Sequence, residues 1–240
     1  MKRELSVQEY VAVQPRIAWR RWLMRGALRL LMPLLFKVEV HGLDNIPPDG
    51  AAVLMMNHIS LLDPVLCITV VDKRYAIPMT KIENMRTPVL SFFIRWWGSY
   101  SVDRDAVDRK ALMNSIELMK SGQLILIAPE GTRQRDGLAR PKEGFAYIAT
   151  KADAVIIPAA ISGAIGWQKS LQGLKRHHIV VNFGVPFKFK ADGRVPRDLY
   201  PAMMDEAMYQ LSAAVTDETM RGAYSDLSKT TSQHLVFVKS

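Results

Sequence analysis

Three short apolar runs, at 51–56, 123–128 and 155–161, constrain this chain more than any other feature, because they are the length of strands and lack polar alternation. Such runs belong to strands buried on both faces, which is the signature of a parallel sheet. The segments between them carry helical signals. Ser60-Leu61-Leu62-Asp63 matches a capping box opening a helix over 60–71, with Pro64 tolerable in its first turn. The stretch 82–97 is predicted helical with a break at Thr87-Pro88. Leu112, Ile116 and Met119 fall at helical spacing in 105–120, stopped by Gly122. A short helix at 144–151, a helix at 201–215 and strands at 38–41, 100–102 and 179–183 complete the pattern. The expected fold class is α/β, a mostly parallel sheet flanked by helices.

In such sheets ligands sit beyond the carboxyl ends of the strands. Two polar blocks fall there: Asn57-His58-Ile59-Ser60-Leu61-Leu62-Asp63 after the first run and Pro129-Glu130-Gly131-Thr132-Arg133 after the second. On a continuous helix, positions five apart diverge by about 140°. His58 and Asp63 can meet only if His58 lies in the loop before the helix and Asp63 in its first turn. The carboxylate then fixes the imidazole tautomer and leaves the other ring nitrogen as a base. No Gly-x-Ser-x-Gly elbow is present, and the lone Cys67 sits in an apolar stretch, so the base acts on a substrate hydroxyl or on water. The Gly turn, hydroxyl and guanidinium of the second block suit a phosphate, and Arg104 and Lys142 can add charge at the same mouth. No His-Glu-x-x-His, Walker loop or dinucleotide fingerprint occurs, so neither a metal nor a nucleotide cofactor is expected. His177 and His178 read as a solvated strand edge.

Lys and Arg total 32 against 23 acidic residues, a formal charge of +9 that favours polyanions. Nucleic acid is not expected, because the basic residues interleave with apolar ones and no reading motif accompanies them. Over 16–34, Trp19, Trp22, Leu23, Leu30, Leu31 and Leu34 mix with Arg16, Arg20, Arg21, Arg25 and Arg29. This composition describes a basic amphipathic helix at a membrane interface, or a helix that buries its apolar face on its own domain. No stretch reaches the roughly 18 apolar residues of a membrane span. The expected organisation is an N-terminal membrane-associating segment at 1–36, a catalytic domain at 37–195 and, at 196–240, a helix with a loosely attached tail.

The ordered set Asn57-His58 with Asp63, Gly98-x-Tyr-x-Val-Asp-Arg104, Pro129-Glu130-Gly131-Thr132-Arg133 and Val155-Ile156-Ile157-Pro158 resembles the four motifs of the glycerolipid acyltransferase family. The resemblance spans about 38–187, and Lys142 with Gly144 matches a further Lys-x-Gly element. It implies transfer of a fatty acyl chain from a coenzyme A or acyl-carrier-protein thioester to the hydroxyl of a lysophospholipid, foremost 1-acylglycerol-3-phosphate, giving phosphatidic acid. His58 is then the general base and Asp63 its orienter. Asn57, Arg104, Glu130, Gly131, Thr132, Arg133 and Lys142 form the substrate site, and Pro158 shapes it. No metal or cofactor is implied, and the protein is expected on the cytoplasmic face of a membrane, peripheral or monotopic. The family commonly has Phe before the Pro-Glu-Gly-Thr block and Ser after its Arg, where this chain has Ala128 and Gln134. Those differences keep another lysolipid acceptor open, and a catalytically idle lipid-binding protein is the reading from a different class.

Overall fold

The computed structural model describes residues 5–103, 108–191 and 195–238. Five parallel strands form its centre: β2 (Ala52–Met56), β3 (Ala76–Lys81), β4 (Tyr100–Val102), β5 (Leu124–Ile127) and β6 (Val155–Ser162). They lie in the order β6-β2-β5-β3-β4. Beyond β6, β7 (His177–Phe183) runs antiparallel to it, and β1 (Phe36–His41) runs parallel to β7 at the edge. Two further short strands, β8 (Phe187–Phe189) and β9 (Leu235–Phe237), hang from β6.

Alternate residues of each central strand feed two different cores, which explains why the runs are apolar throughout. Val53, Met55, Ile125 and Ile127 face α5 (Arg109–Lys120), α6 (Gly144–Lys151) and α8 (Tyr200–Ala214). Ala52, Leu54, Leu124 and Leu126 face α3 (Asp63–Val70) and Trp97 of α4 (Pro88–Trp97). The expected mixed, mostly parallel sheet between helical layers is what the chain forms.

Three local expectations need correction, and a fourth holds. The helix expected over 60–71 begins at Asp63, and its N-cap, Leu62, makes no side-chain cap bond. The Ser60 hydroxyl accepts from Leu62 N–H at 3.3 Å, so only the acidic half of the capping box forms. The helix expected from 105 is described from Arg109, where the Asp108 side chain caps Ala111 N–H at 2.9 Å. His177 and His178 open β7 where it is paired with β1 alone, and His178 is exposed, so they form the solvated strand end expected of them, with ring contacts to Ser170 and Glu39. The tail is not loose: β9 pairs with β8, and the buried Glu206 carboxylate accepts from Thr231 Oγ1, Gln233 N–H and His234 N–H at 2.6–2.9 Å.

At the N-terminus, α1 (Val7–Val13) leads into α2 (Ala18–Leu35), which runs directly into β1. Arg21, Arg25 and Arg29 share one stripe at i, i+4 spacing. All three donate to backbone carbonyls of the fold. Arg21 is buried, donates to Trp97 O at 2.7 Å and bonds Gln14, and burial pushes its pKa down to about 10. Arg25 donates to Val71 O at 3.0 Å, and Arg29 to Thr69 O at 2.9 Å. The expected basic lipid-facing set is thereby reduced, because carbonyls at the ends of α4 and α3 that lack helical partners accept from these guanidiniums. The opposite face is apolar and exposed: Leu23 at 48%, Leu30 at 74% and Leu34 at 68%. Among the described residues, no helix is long and apolar enough to cross a membrane.

Candidate active site

β2 and β5 lie side by side and end at the same edge of the sheet, so the two polar blocks that follow them are neighbours. His58 stands in the loop after β2, and Asp63 is the first residue of α3. The Nδ1–H of His58 donates to Asp63 Oδ2 at 2.8 Å. The same oxygen accepts Ile59 N–H and Ser60 N–H, both at 2.7 Å. Asp63 is wholly buried and the His58 side chain is 14% exposed. An ionised carboxylate that accepts three donors is held in one rotamer, and it selects the tautomer whose Nε2 carries a lone pair. The arrangement can take a proton from a hydroxyl and stabilise the resulting imidazolium.

Glu130 lies at the same end of the sheet but is buried rather than turned to a ligand. Its carboxylate accepts His58 N–H at 3.1 Å and Ala139 N–H at 2.9 Å. Gln134 N–H donates to His58 O at 2.6 Å, so the backbone of His58 is clamped on both sides by the second block. Burial pushes the Glu130 pKa up to about 7, against the pull of the two amides, with Asp63 adding a smaller upward push. Gly131 has φ +75°, and a Cβ there would meet Lys142 Cε at 2.8 Å, so glycine lets the turn close over the lysine stem. Lys142 N–H in turn donates to Pro129 O at 2.8 Å. Thr132, Arg133 and Lys142 are exposed at this mouth.

The expected site residues therefore divide. His58, Asp63, Glu130, Gly131, Thr132, Arg133 and Lys142 are brought to one end of the sheet. Asn57 is a strand fastener: its buried amide donates to Ile161 O at 2.9 Å and accepts Ile161 N–H at 2.7 Å, tying β2 to β6. Pro158 sits within β6 opposite Met55 and packs against Gly184. Arg104 lies outside the described residues. Cys67 is buried in α3, and that burial raises its thiol pKa far above the ordinary range. The sequence reading missed the clamp formed by Ala139 and Gln134, which uses backbone groups and leaves no trace in side-chain identity.

It also missed a cavity of about 290 Å³ beside the second block, walled by Met79, Ala111, Leu112, Ile127, Phe145 and Ile148 and reaching Pro129, Gly131 and Lys142. The helical spacing of Leu112 is the only sequence signal for it, and that spacing marks an inward face without marking a cavity.

A model of the acyltransferase family matches residues 37–162. The chain is 30% identical over 143 residues to the 1-acyl-sn-glycerol-3-phosphate acyltransferase of Borreliella burgdorferi, covering 58% of this chain and 57% of that protein. It is 27% identical over 186 residues to the protein of the same name from Bacillus subtilis, covering 77% of this chain and 91% of that one. The crystal structure of the 1-acyl-sn-glycerophosphate acyltransferase PlsC from Thermotoga maritima is similar in fold, with a TM-score of 0.57 at 24% identity over 77% of this chain and 78% of that chain.

Proposed function

The chain belongs to the acyltransferase family, and from that premise we propose that it moves a fatty acyl group from a coenzyme A or acyl-carrier-protein thioester to the free hydroxyl of a lysophospholipid, 1-acylglycerol-3-phosphate foremost. The observation that carries this reading is the 2.8 Å contact between His58 and the buried Asp63, which leaves Nε2 as the accessible base. Nε2 takes the hydroxyl proton as the acceptor oxygen attacks the thioester carbonyl carbon. Collapse of the tetrahedral intermediate breaks the C–S bond, and the imidazolium returns the proton to the departing thiolate. The products are the ester and a thiol. The route as proposed calls on no metal and no redox cofactor.

Thr132, Arg133 and Lys142, with Arg104, hold the acceptor phosphate in this reading, and Gly131 lets the turn approach it. Glu130 is a positioning residue that fixes the His58 loop. The cavity beside Gly131, apolar except for Asp103, Asp108 and Lys142, receives an acyl chain. Ala128 borders that cavity where the family commonly has Phe, which favours as second reading a lysolipid bulkier than 1-acylglycerol-3-phosphate.

In this reading the exposed apolar face of α2 rests peripherally on the cytoplasmic face of a membrane. Phe92, Phe93 and Val89 of α4 extend that face, with Trp96 edge-to-face against Trp19 and tilted against Phe92. Contiguous exposed apolar surface of this kind marks an interaction site.

Thiol release from palmitoyl-coenzyme A in mixed micelles, with and without lysophosphatidic acid, tests the proposal. Acceptor-dependent release is expected, reduced about 10²- to 10⁴-fold in His58→Ala. A folded protein without acceptor-dependent release across a panel of lysolipids and both donor types would overturn it.

A further inference from the structure

A second cavity, of about 380 Å³, opens between α2, β1 and α3 and includes no residue of the His58 or Glu130 blocks. Its walls are largely apolar, with Met32, Phe36, Val38, Val40, Leu66 and Val70, and its charged lining consists of Arg29, Lys37 and Arg176 with no acidic residue. Two of these cations are held in place by backbone: Arg29 Nε donates to Thr69 O at 2.9 Å and Arg176 Nη1 to Pro33 O at 3.0 Å. A guanidinium has five N–H donors, so each keeps others for an anion.

The surroundings point to lipid. Leu30 and Leu34 stand exposed on the neighbouring face of α2. Leu174 is 96% exposed, and its φ of +54° holds it in the left-handed region that non-glycine residues avoid. It is followed directly by Lys175 and Arg176, so an apolar tip and two cations share one turn after α7 (Trp167–Gln172). An apolar tip beside cations suits the boundary between acyl chains and anionic headgroups.

We propose that this cleft binds one anionic phospholipid of the membrane, its phosphate held by Arg29, Lys37 and Arg176 and one acyl chain lying along Pro33, Val38, Val40 and Val70, while Leu174 enters the same leaflet. The walls argue for a lipid over free phosphate, since an inorganic anion leaves the apolar surface uncovered. The proposal rests on the reading that α2 meets a bilayer and is independent of the transfer reaction.

The test uses the full chain and monomeric dihexanoyl phosphatidylglycerol below its micelle concentration, titrated by calorimetry beside dihexanoyl phosphatidylcholine and inorganic phosphate. The anionic lipid is expected to bind at least about tenfold more tightly than either control. Lys37→Glu combined with Arg176→Glu is expected to weaken it about 25-fold, roughly fivefold per cation. Val38→Phe, which keeps the charges and narrows the cleft, is expected to weaken it too.

Affinity unchanged in both variants would mean that the lipid sits in the His58 site, and inorganic phosphate binding as tightly as the lipid would reduce the cleft to an anion site; either overturns the proposal. Acyl transfer in neutral micelles, measured on the Lys37/Arg176 variant, is expected at the wild-type rate. That control separates failure of this proposal from failure of the reaction assigned to His58.

Discussion

The two ends of α3 solve the same physical problem with opposite charges. At its start, the Asp63 carboxylate gathers Ile59 N–H, Ser60 N–H and the His58 ring. At its end, Arg25 and Arg29 of α2 gather the carbonyls of Thr69 and Val71. Both assignments agree with the helix dipole, which favours anions at the first turn and cations at the last. They differ in what remains. The carboxylate leaves one imidazole nitrogen accessible and ready to act, whereas the guanidiniums pin a second helix and turn its apolar face outward. One end of α3 therefore serves the proposed chemistry, and the other serves docking.

Breaking the start should give the largest effect. Asp63→Asn retains an oxygen for the amides but presents N–H₂ or a neutral acceptor to His58, so the tautomer and the imidazolium lose their support. Acyl transfer is expected to fall about 10³- to 10⁴-fold, read as kcat in the thiol-release assay with the protein folded by circular dichroism. Activity within tenfold of wild type would detach the proposed chemistry from this end of α3.

The outward face of α2 sharpens the other half. Leu30→Glu combined with Leu34→Glu is expected to reduce partition onto anionic vesicles by about tenfold per leucine. The unfolding free energy should stay within about 0.5 kcal/mol of wild type, because both side chains already face solvent. A large loss of stability with unchanged partition would mean that the face packs on protein.

The start of α3 was legible in the sequence and its end was not, for a physical reason. His58 and Asp63 are five residues apart, so their meeting follows from local geometry at a strand exit. The partners of Arg25 and Arg29 are carbonyls some forty residues away in the chain, and a carbonyl has no side-chain identity to read. Composition over 16–34 therefore recovered an amphipathic helix but not that Arg21, Arg25 and Arg29 reach back to carbonyls of the fold while Arg20 lies over Trp19 and Trp96. Glu206 repeats the lesson: amides of 233 and 234 secure a tail whose polar composition suggested none. The sheet itself was legible because strands buried on both faces must be apolar at every position, whereas the cavity beside Gly131 draws on separate helices and strands and follows from no single segment.

Arg25→Ala tests the docking end by stability. Its guanidinium donates to Val71 O at 3.0 Å and Asp72 O at 3.2 Å and lies 4.3 Å from the centre of the Tyr75 ring. Loss of these contacts should cost about 2 kcal/mol in urea unfolding, with Arg25→Lys recovering part of it. A cost near zero would show that α2 is held by packing alone and that the cation at this end of α3 is incidental.

The smallest effect on transfer, and the finest test of the start, comes from Glu130. Its ordinary value of 4.5 is raised to about 7 by burial in the folded protein. The folded state therefore binds the proton more tightly than the unfolded chain does. The resulting stability is complete below the ordinary value and is lost as pH rises through about 7. Between these limits the wild type should lose about 3 kcal/mol of unfolding free energy relative to Glu130→Gln, the amides' pull toward the charged form being already contained in the value of about 7. Glu130→Gln should also lower kcat with little change in KM, since one carboxamide oxygen cannot accept both His58 N–H and Ala139 N–H as the carboxylate does. Equal pH profiles in the two proteins would mean that the amides outweigh burial and that the clamp carries a charge at every working pH. A raised KM at constant kcat would instead move Glu130 from positioning His58 to touching the acceptor.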